Sequence, residues 1–164
     1  MTKILSVTGH SGSGKTTLIE LLIPEFRARG YRIGTVKHAH RGFELDNKGK
    51  DSWRHKAAGA ETVVVASSGG IALFKETQGD GLAGLIPFFA DMDLVIAEGY
   101  KNENHPKIEV FRQEVNPEPV CREDDSVLAF ITDTRIDSEH PQFSPQQVRD
   151  IVDFLETRLL QSQS

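Results

Sequence analysis

A glycine-rich stretch near the amino terminus restricts what this chain can fold into more than any other feature. Gly9-His10-Ser11-Gly12-Ser13-Gly14-Lys15-Thr16, with Thr17 after it, satisfies the pattern G-x-x-x-x-G-K-[ST] at every position. Glycines at 9, 12 and 14 tolerate positive φ and carry no Cβ, so successive backbone N–H groups can turn inward around an anion. Lys15 is a long-stemmed point charge suited to the β- and γ-phosphate oxygens of a nucleotide, and the Thr16 hydroxyl suits the Mg²⁺ that accompanies a triphosphate. Such a turn needs a strand before it and a helix after it. Lys3-Ile4-Leu5-Ser6-Val7-Thr8 reads as a short buried strand and Thr17 to Arg29 as a helix. The helix's unpaired N–H groups and positive dipole end add to the attraction for phosphate.

The length of 164 residues suits a single domain, residues 1–164, with a real core. Cys121 is the only cysteine, which excludes an intramolecular disulfide and fits a reducing cytoplasm. The first strand follows the initiator methionine so closely that no signal peptide is expected, and no apolar run approaches the roughly eighteen residues of a membrane span. A formal charge of −5 argues against broad nucleic-acid binding. The charge is uneven, however. Lys37 to Lys56 holds six Lys or Arg against three acids, plus three histidines, whereas Gln113 to the end holds eleven acids against four arginines. A basic segment in an acidic protein reads as a local anion site or as a solvated loop.

The first helix presents Leu18, Leu21, Leu22 and Phe26 on one face, closes at Gly30, and carries Pro24, where a kink or break is expected. Tyr31 to Lys37 reads as a second strand, with Ile33 and Val36 for the core. The polar, aperiodic stretch from His38 to Lys50 is a long loop of the kind that usually serves function. Asp51 or Ser52 caps a short helix closed by Gly59. Thr62 to Ala66 and Ile71 to Glu76 read as strands joined by a hairpin turn at Ser67-Ser68-Gly69-Gly70. Leu82, Leu85, Ile86 and Phe89 show helical spacing, with Phe88-Phe89 assigned to the core.

Asp93 to Gly99 is an apolar run ending in Glu98; Lys107 to Arg112 alternates like a half-exposed strand; Gln113 to Ser126 looks like a surface excursion; Val127 to Thr132 is another buried strand. Ser144-Pro145-Gln146-Gln147 supplies an N-cap, an N1 proline and a capping-box glutamine for a last helix bearing Val148, Ile151, Val152, Leu155 and Leu159. The whole predicts a three-layer α/β P-loop NTPase fold. Its sheet is mainly parallel, with antiparallel additions at 71–76 and 107–112, and ligands bind at the carboxyl ends of the strands.

Several residues outside the loop are candidates for chemistry. Glu98, at a strand end on the same sheet edge, can hold Mg²⁺ or polarise a water; the plain alternative is a pairing with Lys101. Asp51 can reach the same metal, or merely cap its helix. Lys37, His38, His40, Arg41, Lys50 and Arg54 suit an anionic substrate or nucleotide phosphate. His38, His40, Asp46 and His55 imitate a metal site without a zinc spacing. Asp133, just after a strand, can accept from guanine N1 and N2 hydrogens, or serve only as a turn residue.

Lys37-His38-Ala39-His40, Asp46, Gly49-Lys50-Asp51-Ser52 and Ala58-Gly59-Ala60 strongly resemble the B protein of molybdopterin-guanine dinucleotide biosynthesis, the MobB family. The phosphate loop and Leu94-Val95-Ile96-Ala97-Glu98-Gly99-Tyr100-Lys101 are similar to that family too. The resemblance implies a GTP-binding protein with Mg²⁺, weak hydrolysis and a homodimeric state. It also implies assistance to a MobA-type guanylyltransferase that joins GMP to molybdopterin. Strands that could join subunits lie at 71–76 and 107–112. The other readings are a self-sufficient small-molecule kinase or phosphotransferase, for which Arg41 and Arg54 are possible lid residues, and a GTPase-type metallochaperone, which prefers a denser Cys/His cluster.

Overall fold

Four apolar runs, at Lys3–Thr8, Leu94–Glu98, Lys107–Phe111 and Val127–Thr132, lie inside one sheet because each can bury both faces only between other strands and covering layers, and the less buried Ile33–Lys37 run forms its edge. A computed structural model describes residues 2–39, 42, 47–77, 79 and 81–161. The chain divides into two compact units, Met1–His38 with Gly81–Ser164, and Ala39–Asp80.

In the larger unit the strands are β1 (Lys3–Thr8), β2 (Ile33–Lys37), β5 (Leu94–Glu98), β6 (Lys107–Phe111), β7 (Val127–Thr132) and the two-residue β8 (Gln142–Phe143), which the sequence did not suggest. β3 (Thr62–Ser67) and β4 (Gly70–Lys75) form a separate antiparallel hairpin in the smaller unit. The six-stranded sheet has the order β2-β5-β1-β6-β7-β8, and every pair in it is parallel. The chain therefore turns from one side of β1 to the other, and a crevice opens outside the carboxyl end of β1.

One face of the sheet is covered by α1 (Lys15–Ala28) and α3 (Val148–Leu155). Leu5, Val7, Leu94, Ile96, Ile108, Val110, Ala129 and Ile131, two apart on their strands, meet Leu18, Ile19, Leu22, Phe26, Ile151, Val152 and Leu155. Helix α1 runs unbroken through Pro24, Leu21 faces solvent, and Ile19 takes the expected core place of Leu21. It ends at Gly30, whose φ is +91°. Helix α3 starts later than its cap signal. Pro145-Gln146 form a turn, and only half the capping box closes, with the Ser144 N–H donating to Gln147 Oε1 at 2.8 Å. At the far end of α1, Arg29 joins Asp153 and Glu156, and the Tyr31 hydroxyl donates to Glu156 at 2.7 Å.

The other face is thinner. Ala97 and Ile4 pack with Leu82, Leu85 and Tyr100, while Phe130 and Val127 pack with Val120 and Cys121. The spacing at 82–89 forms two 3-10 turns, Leu82–Gly84 and Ile86–Phe89, with Pro87 in the second. Phe89 sits against Gly34, where an added Cβ would lie 2.5 Å from its ring, but Phe88 is half-exposed rather than core.

The main correction concerns β6. It is neither antiparallel nor half-exposed: it pairs in parallel with β1 and β7, and all five residues are buried. Its polar positions are paired internally. The Lys107 ammonium donates to Asp124 Oδ2 at 2.6 Å, to the Lys101 carbonyl at 2.9 Å and to the Glu103 carbonyl at 3.0 Å. Glu109 accepts the Val120 and Cys121 N–H groups at 2.6 and 2.8 Å. Burial raises the Glu109 pKa, and those two hydrogen bonds oppose the rise. Thus 113–126, read as a surface excursion, supplies partners and core to the sheet. Being interior, β6 cannot extend a sheet between subunits.

In the smaller unit, α2 (Asp51–Ala57) ends before Gly59, at φ +102°, and Lys56 Nζ lies 3.5 Å over the Phe74 ring. The hairpin turn is Ser68-Gly69, as the sequence suggests, with the Gly69 N–H donating to Ser67 Oγ at 3.2 Å. Its strands leave apolar surface uncovered, with Ile71 77% exposed and Val64 and Val65 about half so. Among the described residues no helix is long and apolar enough to cross a membrane.

Lys107→Met should destabilise the protein by about 2–3 kcal/mol, read as a lower urea midpoint, because it strands two carbonyls and the partly exposed Asp124 carboxylate. Burial works against the Asp124 charge, but Lys107 and Ser126 outweigh it and bring the pKa down to about 2 from 3.8. A depressed carboxylate stabilises above its unfolded pKa and loses that contribution as pH falls through the folded one. The stability gap between wild type and Asp124→Asn should therefore close between about pH 4 and about pH 2.

Candidate functional site

Because all strands of the larger sheet run one way, the residues that follow their carboxyl ends share one edge: Gly9 after β1, His38 after β2, Gly99 after β5, Arg112 after β6 and Asp133 after β7. The phosphate-binding motif occupies the middle of this edge.

Gly9, Gly12 and Gly14 have φ of +132°, +81° and +98°, so the loop takes the backbone path its glycines allow. Gly9 has a second constraint, since a Cβ there would lie 2.3 Å from the Val110 carbonyl oxygen of β6. Helix α1 begins at Lys15 itself. The Lys15 ammonium curls over the loop and donates to the Gly9 and His10 carbonyls at 2.9 and 2.7 Å. Burial lowers its pKa; Glu98 opposes this and Lys37 adds to it.

Glu98 lies in register with Val7 of β1 and with Lys37 of β2. Its carboxylate accepts the Thr16 hydroxyl at 3.1 Å and pairs with Lys37 Nζ at 3.3 Å, rather than with Lys101. Its carbonyl accepts the His38 N–H at 3.0 Å. The chain then turns sharply: Gly99 has φ +99° and Tyr100 has φ +55°, a conformation disfavoured for a residue with a side chain. Tyr100 is buried and stacks on His38 with ring centroids 4.8 Å apart. Thr16 and Glu98 bring a hydroxyl and a carboxylate together. That is a hard-oxygen donor set of the kind Mg²⁺ takes, beside a cradle of backbone N–H groups and two ammonium groups that suits phosphate.

Asp133 also reaches this edge, but its carboxylate is occupied. Arg112 Nη1 donates to Asp133 Oδ2, and Arg112 Nε donates to the Ser13 carbonyl at 3.2 Å. Arg112 was not among the sequence candidates. Its strand read as an antiparallel addition, and only a parallel β6 places the residue after Phe111 beside the phosphate loop. A polar hollow of about 450 Å³ opens next to Asp133, lined by residues that include Thr134, Ser138 and His140.

The larger unit thus gathers residues 9–17, Lys37, His38, Glu98 and Asp133. Lys50, Asp51 and Arg54 belong to the smaller unit. There Lys50 precedes α2, and Asp51, in its first turn, pairs with Arg54 at 3.7 Å on an exposed surface. His40, Arg41 and Asp46 lie outside the described residues.

A family model described as Molybdopterin guanine dinucleotide synthesis protein B matches residues 4–133. The chain belongs to the MobB family. It is 39% identical to a molybdopterin-guanine dinucleotide biosynthesis adapter protein of Haemophilus influenzae, over 95% of this chain and 89% of the relative. It is 35% identical to the adapter protein of Escherichia coli, over 94% and 92%. A crystal structure of molybdopterin-guanine biosynthesis protein B superposes with a TM-score of 0.74 at 32% identity, over 94% of this chain and 97% of that one. The superposed MobB structure shares the fold described above, and the two sequence relatives are named adapter proteins of molybdopterin-guanine dinucleotide biosynthesis.

Gly9→Ala should lower the thermal midpoint, by an amount corresponding to about 2 kcal/mol or more, because positive φ and a backbone collision act together. Gly12→Ala, with nothing within 4 Å of its Cβ, should cost less. Equal melting shifts in the two variants would contradict this.

Proposed function

We propose that this chain is a GTP-binding adapter of molybdopterin-guanine dinucleotide biosynthesis, acting beside a MobA-type guanylyltransferase that joins GMP to molybdopterin. The observation that carries the nucleotide part is the Thr16–Glu98 contact at the mouth of the phosphate loop, flanked by Lys15 and Lys37. The names of the relatives support the pathway.

In this reading, loop N–H groups and Lys15 hold the β- and γ-phosphates, and Lys37 adds a second positive charge on the γ side. Thr16 and Glu98 would hold Mg²⁺, which when bound neutralises charge on the phosphate oxygens. Glu98 also orients an attacking water. A weak GTPase follows from this set, because Glu98 is shared between Thr16 and Lys37 and is not free to act as a strong base. His38, after β2, adds to this edge of the larger unit, and the hollow beside Asp133 is the place for the base.

The exposed apolar residues Val64, Ile71 and Leu73, on one face of the hairpin, supply the contact for a homodimer, since a two-stranded hairpin with one short helix against it leaves that surface in water.

Titration with Mg·GTP and Mg·ATP should show preference for GTP, and Lys15→Ala should weaken GTP binding by roughly tenfold or more. Equal affinities would overturn the assignment of the base, and fast transfer to a small acceptor without a partner would favour a kinase. Ile71→Asp should convert the dimer to monomer in sedimentation. A wild type that sediments as a monomer would remove the hairpin interface.

A further inference from the structure

We infer that Arg112 and Asp133 form a positioning pair that sets the phosphate loop, and that Asp133 acts through the arginine rather than by reading the guanine. This rests on the nucleotide-binding reading above. Two different nitrogens of one planar guanidinium are engaged, Nε on the Ser13 carbonyl and Nη1 on the Asp133 carboxylate. The guanidinium passes close to the loop itself: a Cβ on Gly14 would lie 3.9 Å from both Nε and Nη2.

The Ser13–Gly14 peptide is trans and planar, so its carbonyl and its N–H point in opposite directions. Holding the Ser13 carbonyl toward Arg112 therefore turns the Gly14 N–H away from it. Gly14, at φ +98°, lets the chain enter α1 from that orientation. Arg112 thus aims one of the backbone donors on which the loop relies.

Asp133 fixes the arginine in turn. It follows β7 directly, and its turn is closed by the Thr132 hydroxyl donating to the Thr134 carbonyl at 2.8 Å. Strands β6 and β7 are paired in register up to Phe111 and Thr132, so the two residues beyond them come side by side. A lysine at 112 offers a compact ammonium, not a fork, and cannot reproduce both contacts in one geometry.

The test is a calorimetric titration of wild type, Arg112→Gln, Arg112→Lys and Asp133→Ala with Mg·GTP, Mg·ATP and tripolyphosphate. Arg112→Gln should weaken all three by a common factor, roughly tenfold. Arg112→Lys should fall between it and wild type. Asp133→Ala should also move all three together, by less, because losing the anchor is offset by removing a negative charge near the phosphates. A general loss of folding would show as a lowered melting midpoint of the ligand-free protein. The ratio of GTP to ATP affinity does not depend on that midpoint and should stay within about twofold of wild type in every variant.

Asp133→Ala that weakens GTP alone, leaving ATP and tripolyphosphate unchanged, would overturn the inference in favour of a guanine-reading carboxylate. So would Arg112→Gln or Arg112→Lys that binds all three like wild type. A wild type that binds none of them overturns the nucleotide reading and this inference with it. Wild-type binding that is lost in Lys15→Ala but kept in Arg112→Gln overturns only the latter.

Discussion

Glu98 stands where three pieces of the molecule must agree. Strand β5 lies between β1 and β2, and its last residue is in register with Val7 on one side and Lys37 on the other. Leu94 to Ala97 are buried, so sliding β5 by one residue would expose one apolar set and bury another wrongly. The apolar run thereby fixes where its terminal carboxylate falls. The carboxylate then takes the Thr16 hydroxyl from the start of α1 and the ammonium of Lys37 from the end of β2. The Gly99 N–H continues the ladder to the Val7 carbonyl at 3.0 Å, which ties the turn after β5 to the base of the phosphate loop. The strain at Tyr100 sits in that turn, held by burial and by its stack on His38.

What could be read from the sequence was local chemistry. The glycine-rich turn, the short apolar strands on either side of it, the Ser-Gly hairpin and the glycine at the end of α1 depend on neighbours within a few residues. Each appears within a residue or two of its expected place. Strand β6 could not be read that way. Lys-Ile-Glu-Val-Phe has the period of a half-exposed strand, yet Lys107 and Glu109 are buried because their partners are Asp124 and the N–H groups of Val120 and Cys121. Those partners lie in a proline-bearing stretch with no periodicity to announce them. The same blindness hid Arg112, whose meaning depends on the direction of a strand rather than on its composition. Of the kink or break expected at Pro24, the break does not occur, since packing of Leu22 and Phe26 on the sheet carries α1 through a residue that disfavours helix locally.

Three cations at the loop edge share one arrangement. Lys15 rests on the Gly9 and His10 carbonyls, Lys37 on Glu98 and Arg112 on Asp133. Each is held where it stands by a partner from its own unit, which limits the rotamer entropy that would otherwise be lost on meeting an anion. The same partners must be given up or shared if the cation is to serve a phosphate, so affinity becomes a difference between two sets of charge contacts. For Lys15 the exchange is favourable, because carbonyl dipoles are weaker partners than phosphate oxygens. For Lys37 it is less so, because Glu98 is itself an anion and stays in place. For Arg112, in the positioning role proposed for it, no exchange is needed, since its Nε donates to the Ser13 carbonyl. A site built this way gains its strength chiefly from one lysine and the backbone. Under the proposed function, that suits holding a nucleotide for a partner better than turning it over quickly.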